Sequence, residues 1–189
     1  MIRTGDILYH GSYAKVERID LCICAPGKDF GRGFYLTSSH EQAIRFIPSS
    51  LRKAQAIGAA THGQGHGFVS AYEVGDVSSL HCFEFAEADA TWLRFVALNR
   101  RSSLAHKLGG LLPEGVYDAD VVGGKIANDT TNRVITTYLN GLYGEVGSEI
   151  AADTAIRLLL PNRLKDQYCF RTEKSVAALT LLEVERHDV

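Results

Sequence analysis

Apolar residues along this chain alternate with polar ones in some segments and recur at helical spacing in others, with glycine-rich or polar stretches between them. Two short apolar runs, residues 6–10 and 33–36, predict buried strands separated by an irregular loop. Further strands are predicted at residues 68–74, 80–85, 117–123, 167–171 and 180–184. Glycine-containing turns separate several of these strands, so most neighbouring strands are expected to run antiparallel.

Helical spacing of apolar residues marks four longer segments and one short one. The predicted helices cover residues 39–60, 91–101, 129–142, 148–160 and a short stretch that begins after Thr172. Ser38 or Ser39 should cap the first helix, and Pro48 should bend or split it. Strands precede, interrupt and follow the helices without regular alternation, which favours an α+β fold over a doubly wound parallel sheet.

Composition and charge describe an ordinary globular protein. The chain has 189 residues, 46% of them hydrophobic and 22% charged, which predicts a single domain over residues 1–189. A net charge of -2 gives no overall field that would attract nucleic acid or an anionic membrane. The first residues lack a signal-peptide core and no apolar run could span a bilayer, so we expect a cytoplasmic protein with no membrane partner.

The four cysteines are too few for a disulfide scaffold, and we expect free thiols. Cys22 and Cys24 form only a C-x-C pair, and His62 and His66 lie in a glycine-rich loop. Neither has the paired spacing of a zinc site. We therefore expect a buried strand pair and a solvated loop, and no metal.

The glycine motifs exclude the common nucleotide-binding loops. Residues 31–33 (GRG) lead into a strand instead of a helix N-terminus, residues 123–125 (GGK) lack the P-loop frame, and no Gly-x-Ser-x-Gly elbow is present. What remains is a pair of strand-associated segments, residues 8–12 (LYHGS) and 29–37 (DFGRGFYLT). Each places polar or aromatic groups beside glycine, which predicts two walls of a pocket for a flat ligand.

Together with Gln167, which opens a late strand, these segments resemble the three-part His-Tyr-Glu signature of the ADP-ribosyltransferase superfamily, in the branch of diphtheria-type toxins and poly(ADP-ribose) polymerases. The wider pattern resembles an uncharacterised bacterial family within that superfamily and covers residues 8–179. It consists of YHGS, DFGRGFYLT, Trp92 with Asn99-Arg100, IAND at residues 126–129 and QYCFRTEK at residues 167–174. The resemblance implies a split, mostly antiparallel β core with flanking helices.

The resemblance also implies that NAD is the substrate, without a metal. His10 would hydrogen-bond a ribose hydroxyl, the backbone of Gly11 would hold the nicotinamide carboxamide, and Tyr35 would stack on the ring. Phe46 matches the position of a second aromatic residue. The implied NAD site also includes Ser12, Gly33, Asn128 and Asp129, and the implied catalytic residues are His10, Tyr35 and Gln167.

The third position departs from the signature, because Gln167 replaces its acid. An amide can hydrogen-bond ribose hydroxyls, but it offers only a dipole to a developing oxocarbenium ion. A loss of roughly 3 kcal/mol would slow the reaction about a hundredfold and speaks against chain-forming polymerisation. Asp166 points to the other face of the strand, and Asp129 is preferred to Glu173 as another source of charge.

These features predict a bacterial, toxin-like mono-ADP-ribosyltransferase that modifies a protein or nucleic-acid acceptor, with an antitoxin or inhibitor protein as a candidate partner. Two alternatives stay open: a module that binds NAD or ADP-ribose without turnover, and an NAD glycohydrolase. Transfer of an RNA 2'-phosphate to NAD would need a dense arginine and histidine cradle, which the motifs lack. Arg32, Arg45 and Lys125 could meet a pyrophosphate, although solvated surface charge is their expected role.

Overall fold

The computed structural model describes residues 1–126, 129–159 and 165–189. Its strands are β1 (Ile7–Ser12), β2 (Phe34–Leu36), β3 (His66–Val74), β4 (Cys82–Glu84), β5 (Val121–Lys125), β6 (Asp166–Phe170) and β7 (Leu179–Asp188). Its α-helices are α1 (His40–Ala56), α2 (Ala90–Arg100), α3 (Ala105–Leu108), α4 (Asp129–Leu139), α5 (Glu149–Leu159) and α6 (Glu173–Val176). None of the helices in these ranges is long and apolar enough to cross a membrane.

The strands form two sheets. The first sheet has the order β1-β3-β7 and is antiparallel throughout. The second sheet has the order β2-β6-β5-β4, in which only the pairing of β4 with β5 is parallel. A single antiparallel bridge, Tyr9 with Thr37, joins β1 to β2. The α+β prediction with mostly antiparallel pairing is therefore confirmed.

Apolar side chains fill both faces of the second sheet. One cluster lies between the two sheets and includes Leu8, Phe34, Tyr72 and Phe170. A second cluster lies on the opposite face, where α2, α4 and α5 cover the sheet. Its buried side chains include Trp92, Phe95, Ile135, Tyr138 and Ala152. Trp92 and Phe95 are both almost fully buried. The layers run from α1 through both sheets to these three helices.

Helix α1 packs on the outer face of the first sheet and runs through Pro48 without a break. Its N-cap is Ser39, whose hydroxyl accepts a hydrogen bond from the Gln42 amide at 3.3 Å. Proline removes one backbone donor from the helix. Ile47 and Leu51, on either side of Pro48, are both buried and hold the helix in place. Of the two outcomes predicted for Pro48, a bend or a split, the split is therefore wrong.

Two further differences from the sequence prediction have local causes. Strand β5 is displaced toward the C-terminus because Gly123 and Gly124 lie in the strand instead of a turn. A Cβ on Gly123 would meet the Tyr168 ring at 2.9 Å, so the position serves close packing. The expected Cys22 and Cys24 strand pair is wrong: a 3-10 turn begins after Asp20 and leaves Cys22 exposed. All four cysteines are free, as predicted.

Candidate functional site

Tyr35 fixes the loop that precedes its own strand. Its hydroxyl donates a hydrogen bond to the Gly31 carbonyl at 2.8 Å and accepts one from the Phe30 amide at 2.9 Å. Burial raises the pKa of Tyr35 far above its ordinary value, so the phenol stays neutral. With the hydroxyl committed to the loop, the ring is the part of Tyr35 that can contact a flat ligand.

His10 joins the two predicted walls directly. Its Nδ1 lies 2.8 Å from the Tyr35 carbonyl, which can only accept, so Nδ1 carries the proton. Burial lowers the pKa of His10, and the hydrogen bond to Tyr35 opposes that shift. The ring also packs against Phe34, with centroids 4.5 Å apart. A neutral His10 therefore presents Nε2 as a hydrogen-bond acceptor, to which a hydroxyl group can donate.

The backbone of Gly11 points toward the gap between β1 and β2. Tyr9 exchanges both of its backbone hydrogen bonds with Thr37, and the Asp6 carbonyl accepts from β3. Successive residues of a strand direct their N–H and C=O groups to opposite sides, so those of Gly11, two residues after Tyr9, also point away from β3. A Cβ on Gly11 would lie 1.9 Å from the Ala43 carbonyl of α1. Glycine thus permits the helix to approach while its polar backbone faces the gap.

Gly33 and Ser12 have roles within the protein. A Cβ on Gly33 would lie 2.5 Å from the Cys169 sulfur and 2.6 Å from the Phe170 carbonyl, so the close neighbour is β6 instead of a ligand. The buried Ser12 accepts a long hydrogen bond from the Ala14 amide at 3.4 Å. Both residues shape the ends of the strands that carry His10 and Tyr35.

Gln167 is buried, with 6% of its surface exposed, and its amide contacts a carboxylate that the sequence prediction gave no role. Its Nε2 donates to Asp29 Oδ2 at 3.2 Å and to the Lys125 carbonyl at 3.4 Å. Asp29 in turn accepts from Arg100 Nε at 2.8 Å, and Arg100 Nη1 donates to Asn132 at 2.6 Å. Because both amide hydrogens are engaged, Oε1 is the atom of Gln167 that can meet a ligand.

The strand register brings the three motif residues to one junction. Tyr35 pairs with Cys169 across β2 and β6, and Gln167 lies two residues away on the same face of the second sheet. Asp29 reaches this face from the loop that Tyr35 fixes. His10 approaches from β1 on the other side of β2. His10 therefore contacts the backbone of Tyr35, and Tyr35 shares one face of the second sheet with Gln167, near the bridge that joins the two sheets.

The chain matches, over residues 7–181, the model of a family described as a protein of unknown function, DUF3990. The protein belongs to the DUF3990 family. The matched region includes every site residue predicted from the sequence. A search of the curated proteins finds no match. The function of this DUF3990 protein must therefore be argued from its site.

The remaining predicted site residues do not join this junction through a described contact. Phe46 is 42% exposed on α1, with the Lys53 ammonium 5.5 Å from its ring centroid, so it is not a core residue. Asn128 lies outside the described residues, as does the side chain of Asp129, whose backbone begins α4. Glu173 occupies the first turn of α6 and fits its expected role beside a helix N-terminus.

The basic residues near the site differ from those expected. Lys125 pairs with Asp166 at 2.8 Å, and the exposed Arg45 pairs with Glu41. Partial burial and the neighbouring Lys53 lower the pKa of Lys28, with a smaller contribution from Arg100. Of these cations, Arg100 pairs with Asp29 at 2.6 Å, and Lys28 is its neighbour in the chain. No sequence motif marked Lys28 or Lys53.

A cavity of about 290 Å³ lies elsewhere on the protein, between β3, β7 and α6. Glu17, Arg18 and Glu173 contribute charged groups to its wall. It includes no residue of the predicted NAD site. The motif residues and this cavity therefore lie in different places. The motif residues carry the functional argument because hydrogen bonds and strand pairing link them.

The sequence prediction missed Asp29 and its partner Arg100. Asp29 was visible as the first residue of the DFGRGFYLT segment, and Arg100 as part of the Asn99-Arg100 pair. No spacing rule connects them, because the loop and the end of α2 meet only in the folded protein. The contact between the buried Asp29 and Gln167 was the signal that sequence alone could not provide.

Proposed function

We propose that this protein is a mono-ADP-ribosyltransferase that uses NAD to modify a macromolecular acceptor. The observation that carries the proposal is the contact of His10 with the Tyr35 carbonyl, together with the sheet face that Tyr35 shares with Gln167, at the junction of the sheets. The two-sheet core with helices on its outer faces also supports an ADP-ribosyltransferase-like fold. Neither the acceptor nor an inhibitor protein is identified by these features.

The junction has the groups that an NAD site needs. Gly11 would offer its N–H and C=O to the nicotinamide carboxamide, and His10 Nε2 would accept from a ribose hydroxyl. The Tyr35 ring would pack on the nicotinamide, which contributes about 0.5 to 1.5 kcal/mol beyond area burial. Lys28 and Lys53 carry positive charge that suits the pyrophosphate. Binding is thus divided among groups on β1, β2, the loop before β2 and α1.

The reaction breaks the bond between the nicotinamide nitrogen and ribose C1', and nicotinamide leaves with the electron pair. The acceptor nucleophile then forms a bond to C1' and loses its proton to solvent or a nearby base. Gln167 Oε1 would orient the ribose by accepting from a hydroxyl, and its dipole would face the developing positive charge. Asp29 holds the amide in that orientation, while Arg100 balances the charge of Asp29. Because Arg100 neutralises the charge of Asp29, we expect the transfer to be slow.

A nicotinamide-release assay with purified full-length protein and NAD tests the proposal. We expect slow release by the wild type and a loss of at least about tenfold in His10→Ala, since the ribose would lose an oriented acceptor. His62→Ala, a change in an exposed loop, is the matched control and should release nicotinamide at the wild-type rate. Equal rates for all three proteins, or no release at high protein concentration with several acceptors, would contradict the proposal.

Two other outcomes are distinguishable in the same assay. Binding of NAD without release would identify a binding module, a candidate that the replacement of the signature acid by Gln167 favours. Release with all label from adenine-tagged NAD recovered as free ADP-ribose would identify an NAD glycohydrolase. Transfer of that label to protein or nucleic acid is the result expected of the transferase.

A further inference from the structure

Two histidines and one glutamate meet on the first sheet, away from the strand junction. His40 Nε2 and His187 Nε2 each lie 3.0 Å from the same oxygen, Glu185 Oε2. One ligand atom from each of the three residues lies within 4.8 Å of the other two. All three side chains are partly exposed, so an ion from solvent can reach them.

The fold, and not a sequence motif, assembles this cluster. Glu185 and His187 are alternate residues of β7 and share one face of the strand. Helix α1 covers that face of the sheet, and its first residue is His40. Tyr9 packs edge-on against the His40 ring, with centroids 5.0 Å apart and planes at 75°. The three ligand atoms thus come from two elements of regular structure, one from α1 and two from β7.

We propose that His40, Glu185 and His187 bind Zn²⁺. Imidazole nitrogen and carboxylate oxygen are ligands that zinc accepts at about 2.0 to 2.2 Å, and two histidines with one glutamate are an established three-ligand set. Tetrahedral coordination would separate the ligand atoms by roughly 3.3 Å, a widening of a few tenths of an ångström from the present hydrogen bonds. Water from the exposed side would complete the coordination.

The ion would join the edge strand β7 to the start of α1. His40 is the first residue of α1, four residues before Ile44, and α1 follows β2, the strand of Tyr35. The metal link would therefore brace α1. Tyr9 and His10 point to opposite faces of β1, which separates the zinc ligands from the proposed nucleotide site. The zinc site does not depend on the NAD proposal. His40 and Glu185 are 145 residues apart, which explains why cysteine and histidine spacing did not reveal the site.

Zn²⁺ titration of chelator-treated full-length protein, by calorimetry and thermal unfolding, tests the site. We expect one ion per chain and, at a free concentration about 100 times its Kd, a rise in Tm of roughly 5–10 °C. His187→Ala and Glu185→Gln should weaken binding by more than about a hundredfold, beyond the effect of losing an outer-shell partner. Their metal-free melting curves establish that both variants fold.

The exposed thiol region provides the matched control. The double variant C22S with C24S should bind Zn²⁺ as the wild type does, and X-ray absorption should detect nitrogen and oxygen neighbours without sulfur. Loss of binding in that double variant, sulfur in the first coordination shell, or equal affinity in the wild type and His187→Ala would each overturn the site. If the cluster is held only by hydrogen bonds and does not bind Zn²⁺, the Tm will rise in none of these proteins, and the proposal will be wrong.

Discussion

At the scale of single residues, the pairing of Gln167 with Asp29 explains why an amide suits the third signature position here. The Gln167 Nε2 donates to the Asp29 carboxylate at 3.2 Å. A glutamate in the same rotamer would bring two carboxylates to that distance, and like charges so close cannot both ionise at low cost. The glutamine is therefore matched to the acid beside it and is more than a missing carboxylate.

Gln167→Glu should consequently destabilise the protein instead of simply restoring the signature. We expect a loss of about 1–3 kcal/mol in the free energy of unfolding near neutral pH, because donors to Asp29 and the Lys125 carbonyl are lost and a charge is added. The raised pKa of the new carboxyl should reduce this loss as the pH falls. Urea denaturation at about pH 8 and pH 5 measures the difference.

Gln167→Met is the matched control, since it removes the donors without adding charge. Its loss of stability should change much less between the two pH values. If Gln167→Glu and Gln167→Met show the same pH dependence, the carboxylate at position 167 does not interact with Asp29 as proposed.

Two variants should distinguish the role of the Tyr35 hydroxyl from the role of its ring. Tyr35→Phe removes the hydroxyl that bonds Gly31 and Phe30, so we expect a loss of about 1–3 kcal/mol in stability with NAD affinity changed little. Tyr35→Ala should also weaken NAD binding several-fold, since the ring would be absent. Calorimetric NAD titration beside urea denaturation checks both values, and equal NAD affinity in the two variants would exclude ring stacking.

At the scale of elements, α1 can pack closely on β1 because Gly11 has no side chain. Gly11→Ala would place a methyl group 1.9 Å from the Ala43 carbonyl, which belongs to backbone and cannot rotate away. We expect destabilisation at or above the usual 1–3 kcal/mol range for overpacking. Gly63→Ala, where a Cβ meets nothing within 4 Å, is the control for urea denaturation. Similar midpoints for the two variants would disprove the tight contact.

Sequence patterns predicted the secondary-structure elements better than they predicted the contacts between them. The α+β class, the positions of most helices and the strand placement of His10, Tyr35 and Gln167 followed from periodicity and motifs. Strand β5 was misplaced because glycines typical of turns here make room for aromatic rings. The Asp29 contact could not be predicted, because it depends on residues 138 positions apart.

At the scale of the whole molecule, burial of His10 between the sheets links stability to pH. Burial lowers the pKa of His10 below its ordinary value of 6.5, so the unfolded chain takes up the proton first. This contribution to stability is complete above about pH 6.5 and is lost as the pH falls toward the folded pKa. Wild type should therefore lose more stability than His10→Gln between about pH 7 and pH 5. Parallel urea-denaturation profiles would contradict this.

The strand order of both sheets has a consequence for biosynthesis. Strand β2 pairs with β6 and strand β3 pairs with β7, so these early strands can pair only after later parts of the chain have been synthesised. Contacts of such long sequence separation slow folding and leave edges exposed in the nascent chain. The junction of His10, Tyr35 and Gln167 can form only after β6 has emerged. A nascent chain that lacks β6 therefore has no complete site, and any NAD-dependent activity begins only after residues 166–170 have been translated.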